Sequence, residues 1–200
     1  MFVSSLVAIY FILIYLCLTV SFLRRKEDNS CLFVYFLIVA IVETMPHFLA
    51  VETNEIYKIG TFLYIGFFTF YYSRKNIQQR KMIYVAGFLA LICSLICVFT
   101  SLQTFPIALG ITIAVFYIFL SLWWFFNEIN NTDTTFILRK QAFWVSCALI
   151  FWSVIFLFRV SLMYWLAEND HEFLIFLDKI FKISVVITYL FFFLAVTRKS

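Results

Sequence analysis

A chain of 200 residues that is 64% hydrophobic and 13% charged, with a mean hydropathy of +1.00, excludes a soluble globular domain, because no core of that size hides so much apolar surface. Lipid is the missing solvent. The formal charge of +4 does not point to nucleic acid, since the basic residues sit in short clusters between apolar runs, where a membrane surface accounts for them.

A spanning helix needs about 20 largely apolar residues, and seven stretches qualify: 2–23, 31–51, 56–72, 82–102, 105–126, 142–166 and 173–196. The sequence predicts an all-α, polytopic bundle of seven transmembrane helices in one domain, 1–200. The first run carries no basic residue ahead of it and no small-residue cleavage pattern behind it, so it reads as a retained helix. The fourth and fifth runs are nearly fused. A single helix over 82–126 would be about twice a bilayer's thickness, and Gln103, Thr104 and Pro106 supply a polar break with a proline suited to a helix start. The longest connection, 127–141, is polar before Phe136-Ile137-Leu138 and reads as ending in a short interfacial helix. Thr197-Arg198-Lys199-Ser200 follows the last run, and no output domain is expected within these residues.

Basic residues give the expected orientation. Arg24, Arg25 and Lys26; Arg74, Lys75, Arg80 and Lys81; Arg139 and Lys140; and Arg198 and Lys199 fall on alternate connections. The other side has Lys58 with Glu52, Glu55, Glu168, Asp170 and Glu172. The positive-inside rule then places the C-terminus in the cytoplasm and, with an odd helix number, the N-terminus outside.

The five cysteines, Cys17, Cys31, Cys93, Cys97 and Cys147, lie within or at the edge of apolar runs, so loop-to-loop disulfides are not expected. Cys93 and Cys97 share a helix face, but no His or carboxylate joins them, and neither a metal site nor a cofactor is expected. Tyr71, Tyr72, Trp123, Trp124, Tyr164 and Trp165 occupy interfacial-belt positions. The phenylalanines Phe67-Phe68 and Phe191-Phe192-Phe193 are expected to face lipid.

Charge buried in a bilayer is costly and usually faces the bundle interior. Six titratable residues fall inside spans: Glu43, His47, Arg159, Asp178, Lys179 and Lys182. Counting from the helix ends, Glu43, Arg159 and Lys182 lie roughly 12, 10 and 13 Å deep at ~1.5 Å per residue, on one level of the outer half. Glu43 and His47, and likewise Asp178 and Lys182, are one turn apart. Pro46 should kink the second helix and leave the Val42 carbonyl without its usual donor. Lys179, near the outer end, can snorkel to the interface. Three readings of the cluster stand: interhelical ion pairs, Glu43 with Arg159 and Asp178 with Lys182; a ligand or partner site; or a catalytic or proton-relay site.

Leu177-Asp178-x-x-x-Lys182 resembles the last helix of the microbial rhodopsins, where an acid one turn before a lysine helps balance a retinal Schiff base. The resemblance implies Lys182 as the Schiff-base lysine. Glu43 would have to be the counterion, since 56–72 has no carboxylate, and Trp144 and Trp152 stand without the family's Trp-x-x-Tyr-Pro signature. More of the chain, Glu43 through Asn54-Glu55-Ile56-Tyr57 and Arg139 through Phe143-Trp144 onward, resembles a group of small bacterial seven-helix membrane proteins with no established activity. That implies a multi-pass protein of the bacterial cytoplasmic membrane.

The leading expectation is a non-enzymatic, sensor-like or accessory subunit. It would act through a membrane or cytoplasmic protein partner, with an outward-facing polar pocket for a small ligand. The alternative is a small transporter or intramembrane enzyme using Glu43, His47 and Arg159 on a lipidic or anionic substrate, with a retinal-binding protein behind both.

Overall fold

In lipid every backbone N–H and C=O must find its partner within the chain, which leaves helices as the solution for apolar runs of this length. The computed structural model describes residues 2–25, 31–48, 53–75, 79–100, 107–130 and 136–198. These form seven α-helices: α1 (Phe2–Leu23), α2 (Leu32–Phe48), α3 (Thr53–Lys75), α4 (Arg80–Thr100), α5 (Ile107–Asn130), α6 (Gln141–Asn169) and α7 (His171–Thr197). No strand occurs among the described residues. Five of the helices, carrying Leu6–Leu23, Arg80–Thr100, Ile107–Asn130, Gln141–Met163 and His171–Thr197, are long and apolar enough to cross a membrane. The chain has the build of a multi-pass integral membrane protein.

The helix ends differ from expectation for identifiable reasons. α3 is longer than 56–72 because its charged ends remain helical, with Arg74 stacking on Phe70 at 5.2 Å and Lys75 on Tyr71 at 5.9 Å. Long cationic side chains of this kind cover apolar surface while their heads reach water. The described part of α2 runs to Phe48 and holds Pro46 inside the helix. α6 and α7 approach until only Asp170 separates them, since its carboxylate accepts from Phe173 N at 2.9 Å and caps α7 within one residue. The expected interfacial helix is a single 3-10 turn, Ile137–Arg139. The predicted break at 103–106 lies outside the described residues.

The helices close into a ring. Each packs on its neighbours in sequence, α7 returns onto α1, and α3 also touches α5 behind α4. α4 is thereby displaced to the periphery. It buries one narrow stripe, Ile83, Gly87, Ala90 and Ser94, and approaches α3 so closely that a Cβ on Gly87 would stand 2.6 Å from Cγ2 of Thr69.

One end of the bundle gathers the cations, called here the basic end. There Arg24 of α1 donates to the Thr197 carbonyl of α7 at 2.7 Å, Arg74 reaches Cys31, and Lys140 pairs with Glu128. Just inside it the core is closed by rings expected elsewhere: Tyr71 and Tyr72 are 1% exposed and Phe68 is fully buried. Phe67, Trp124 and Phe192 are buried as well. Tyr71, Tyr72 and Trp124 are therefore core residues and not belt anchors, and Phe67, Phe68 and Phe192 do not face lipid. Ring closure gives six helices an inner face, which needs large side chains to fill it. Trp165 keeps the exposed position expected of it.

Candidate functional site: an aromatic cavity inside the helix ring

Away from the basic end the inner faces stand apart and enclose a cavity of about 520 Å³. Its wall comes from α1, α2, α3, α5, α6 and α7, and none of it from α4. Each contribution repeats at helical spacing: Tyr35, Val39 and Glu43 on α2; Asn54, Tyr57, Thr61 and Tyr64 on α3; Gly110, Ile113 and Tyr117 on α5; Leu149, Trp152, Phe156 and Arg159 on α6; Phe181, Val185, Thr188, Tyr189 and Phe192 on α7. Among the described residues, Tyr10 is the contribution of α1. Intervals of three and four keep one side of each helix turned inward.

The rings form a connected belt. Tyr10 meets Tyr189 edge-on at 5.1 Å, Phe192 meets Tyr35 at 5.2 Å, and Tyr35 meets Phe68 at 5.0 Å. Phe68 then meets Tyr117 at 5.0 Å, and Trp152 lies parallel to Phe156 at 5.0 Å. Offset and edge-on geometries at these separations are favourable aromatic contacts.

Among the described residues, the charged side chains of the wall are Glu43 and Arg159. Arg159 donates through Nε to Asp178 at 2.7 Å and stacks over Phe181 at 5.0 Å. Glu43 accepts from the Tyr57 hydroxyl at 3.1 Å and faces Tyr10. The Arg159 side chain is 28% exposed, whereas Leu149 and Phe192 deeper in are 2% and 1%. The cavity is therefore reached at the Glu43–Arg159 level and closes toward the basic end. Below its floor the Tyr72 hydroxyl bonds Ser146 at 2.8 Å and Ser121 at 3.4 Å, joining α3, α5 and α6.

The structure thus brings Glu43 and Arg159 to one cavity, and re-pairs the rest of the predicted cluster. Arg159 bonds Asp178 through its Nε. Among the described residues no ion pair joins Asp178 to Lys182. Lys182 is exposed and does not line the cavity. It follows Phe181, about 100° round α7 from the inward face, and a Schiff base there would lie outside the cavity. Lys179 is likewise exposed. His47 belongs to α2 by its backbone, but its side chain lies outside the described residues. Pro46 is not part of the wall.

Sequence reasoning overlooked Tyr10, Tyr35, Tyr64, Tyr117 and Tyr189. The available signal was the spacing of tyrosines on α3, where Tyr57, Tyr64, Phe68 and Tyr71 mark one face. No family model matches the chain, and no curated protein or solved structure does either.

Proposed function

We propose that this chain is a seven-span membrane protein, N-terminus outside and C-terminus in the cytoplasm, that binds a small ligand from the outer side and works as a sensor-like or accessory subunit through a partner protein. The bacterial cytoplasmic membrane is the setting this reading favours. The observation that carries it is the cavity of about 520 Å³, lined by six of the seven helices, with its charged level at one end and a hydroxyl-bonded floor at the other. A pocket of this volume suits a small organic molecule. Seven spans are supported by the ring itself, since α2 and α3 supply wall residues alongside the five long apolar helices. The clustering of cations at one end supports the orientation.

Binding is favoured over catalysis because Arg159 is already held by Asp178 and Phe181, which leaves it a positioned rim group more than a mobile reactant. The packed floor favours binding over transport. α6 and α7 make the most extensive helix pair, and α7 takes hydrogen bonds from Arg24 at its far end. A ligand that shifted this hairpin at the mouth would change its seating on α1 at the basic end, a small helix displacement of the kind used in switching proteins.

Two measurements test the reading. A membrane-impermeant maleimide should label Asn54→Cys in intact cells above the wild-type background and leave Arg198→Cys unlabelled until the cells are opened; the reverse result overturns the orientation. Native mass spectrometry of protein released from nanodiscs should show a small-molecule adduct on the wild type that Val185→Trp, which fills the cavity, has lost. An adduct unaffected by that substitution would exclude the cavity as the site.

A further inference from the structure

The hydrogen-bond donors of the wall also constrain what the cavity takes. We propose that the ligand is a neutral aromatic ketone: a slender ring system lying in the shaft, with its carbonyl oxygen accepting from the Tyr117 hydroxyl. The assignment rests on the reading of the cavity as a ligand site.

Several hydroxyls of the wall are already committed. Thr61 donates to the Tyr57 carbonyl at 2.9 Å and Thr188 to the Ser184 carbonyl at 2.8 Å, each one turn back on its own helix, and Tyr57 donates to Glu43 at 3.1 Å. Tyr117 differs from these. It is 6% exposed, lines the cavity, and makes no hydrogen bond among the described residues. Phe68 at 5.0 Å and Trp152 at 6.0 Å hold its ring, so the hydroxyl cannot swing away to find an acceptor elsewhere. A buried O–H without an acceptor forfeits the hydrogen bond it would make in water, and an oxygen placed in the shaft restores it. A phenol donates better than it accepts, because its oxygen shares a lone pair with the ring. A carbonyl, with two free lone pairs, is its natural complement.

Depth sets a ketone apart from a carboxylate. Tyr117 lies at the level of Trp152, about 10 Å along α6 from Arg159 at the helical rise. Among the described residues no other cation lines the wall, and an anion held that deep would lose its hydration without gaining a counter-charge. Shape and wall chemistry supply the rest. Along α6 the wall runs from Leu149 to Arg159, about 15 Å. The cavity volume of about 520 Å³ spread over that depth leaves a cross-section of roughly 35 Å², which suits a molecule one ring wide and two or more rings long. Half of the lining residues are aromatic. Flat π-faces and edges reward a ring that can stack or meet them edge-on, whereas a flexible acyl chain gains nothing from them beyond burial.

Two probes of one shape test this: 4-acetylbiphenyl and 4-isopropenylbiphenyl, in which a methylene group replaces the carbonyl oxygen. In equilibrium dialysis between nanodiscs holding the full chain and empty nanodiscs of the same phosphatidylcholine, partitioning into lipid cancels and the excess on the protein side reads binding. The ketone should bind about tenfold tighter than the alkene, the margin of one buried hydrogen bond. Tyr117→Phe, which removes the hydroxyl and keeps the ring, should bring the ketone to the alkene's affinity and leave the alkene unchanged. With the carbonyl carbon isotope-labelled, the infrared stretch of the bound ketone should lie lower on the wild type than on Tyr117→Phe, a signature that a packing role of the ring would not give. Val185→Trp should abolish binding of both probes, and circular dichroism verifies that each variant is folded. If the alkene equals the ketone, or if the ketone's advantage survives Tyr117→Phe, while Val185→Trp still abolishes binding, the ketone assignment is overturned and the cavity stands as a ligand site. If neither probe binds, the ketone assignment is overturned and the adduct measurement decides the cavity by itself. Binding that ignores Val185→Trp overturns both readings.

Discussion

The two halves of α3 are built from the same kind of residue and do opposite things. From Asn54 to Tyr64 its inward face lines open space, while from Phe68 to Tyr72 the same face is packed to 1% exposure or less. Aromatic richness therefore does not decide whether a membrane bundle is solid or hollow. What differs is the opposing wall. At the basic end Tyr72 finds Ser121 and Ser146 on α5 and α6, small side chains that let three helices close on one hydroxyl. Nearer the mouth, Trp152 and Phe156 stack on each other at 9°, and a ring pair lying along the wall leaves the centre unfilled.

The largest effect should separate the halves by truncation. Phe68→Ala removes a fully buried ring and should cost about 3–5 kcal/mol, read as an earlier unfolding midpoint on titration with dodecyl sulfate. Phe181→Ala, beside the cavity, should cost about 1 kcal/mol, because part of its ring already lacks packing partners. Equal costs would break the comparison.

Hydroxyl removal should follow the same division on a smaller scale. Tyr72→Phe leaves the buried Ser146 hydroxyl short of a partner and should cost about 1–2 kcal/mol, or nearer 0.6 if the lipid-embedded unfolded state finds substitutes. Tyr64→Phe, whose hydroxyl borders the cavity, should shift the same midpoint by less than about 0.5 kcal/mol. A larger loss at Tyr64 than at Tyr72 would mean that the cavity wall, and not the floor, holds the helices together.

Asp178→Asn sharpens the account of the rim. The pair it breaks is 28% and 42% exposed, so the stability cost should be about 0.5–1 kcal/mol. The same dodecyl sulfate midpoint should read that cost. A shift above about 2 kcal/mol would show that the pair is held away from solvent. Smallest of all, Lys182→Met should change stability by less than about 0.5 kcal/mol. Protein incubated with all-trans-retinal should give no visible absorption band dependent on that lysine, and a band lost in Lys182→Met would restore the rhodopsin-like reading.

By itself the sequence determined that the chain is helical and lipid-embedded, where most of its helices lie and at which end its cations gather. These properties are local: a run of about 20 apolar residues must satisfy its backbone internally wherever it sits, and Arg24, Arg74, Arg139 and Arg198 follow directly from where the runs stop. It also drew attention to Glu43 and Arg159, because ionisable residues among apolar ones are conspicuous in one dimension. Only the tertiary structure decided how they are used. That Asp178 serves Arg159 across the α6–α7 seam while Lys182 one turn on faces outward depends on how α7 is rotated, and a helix apolar on nearly every face carries little record of its rotation. The same reason hid the tyrosines. In a chain with 11 Tyr and 28 Phe, inward and lipid-facing rings are chemically alike, and only ring closure, with α4 left outside it, chose which of them line the cavity.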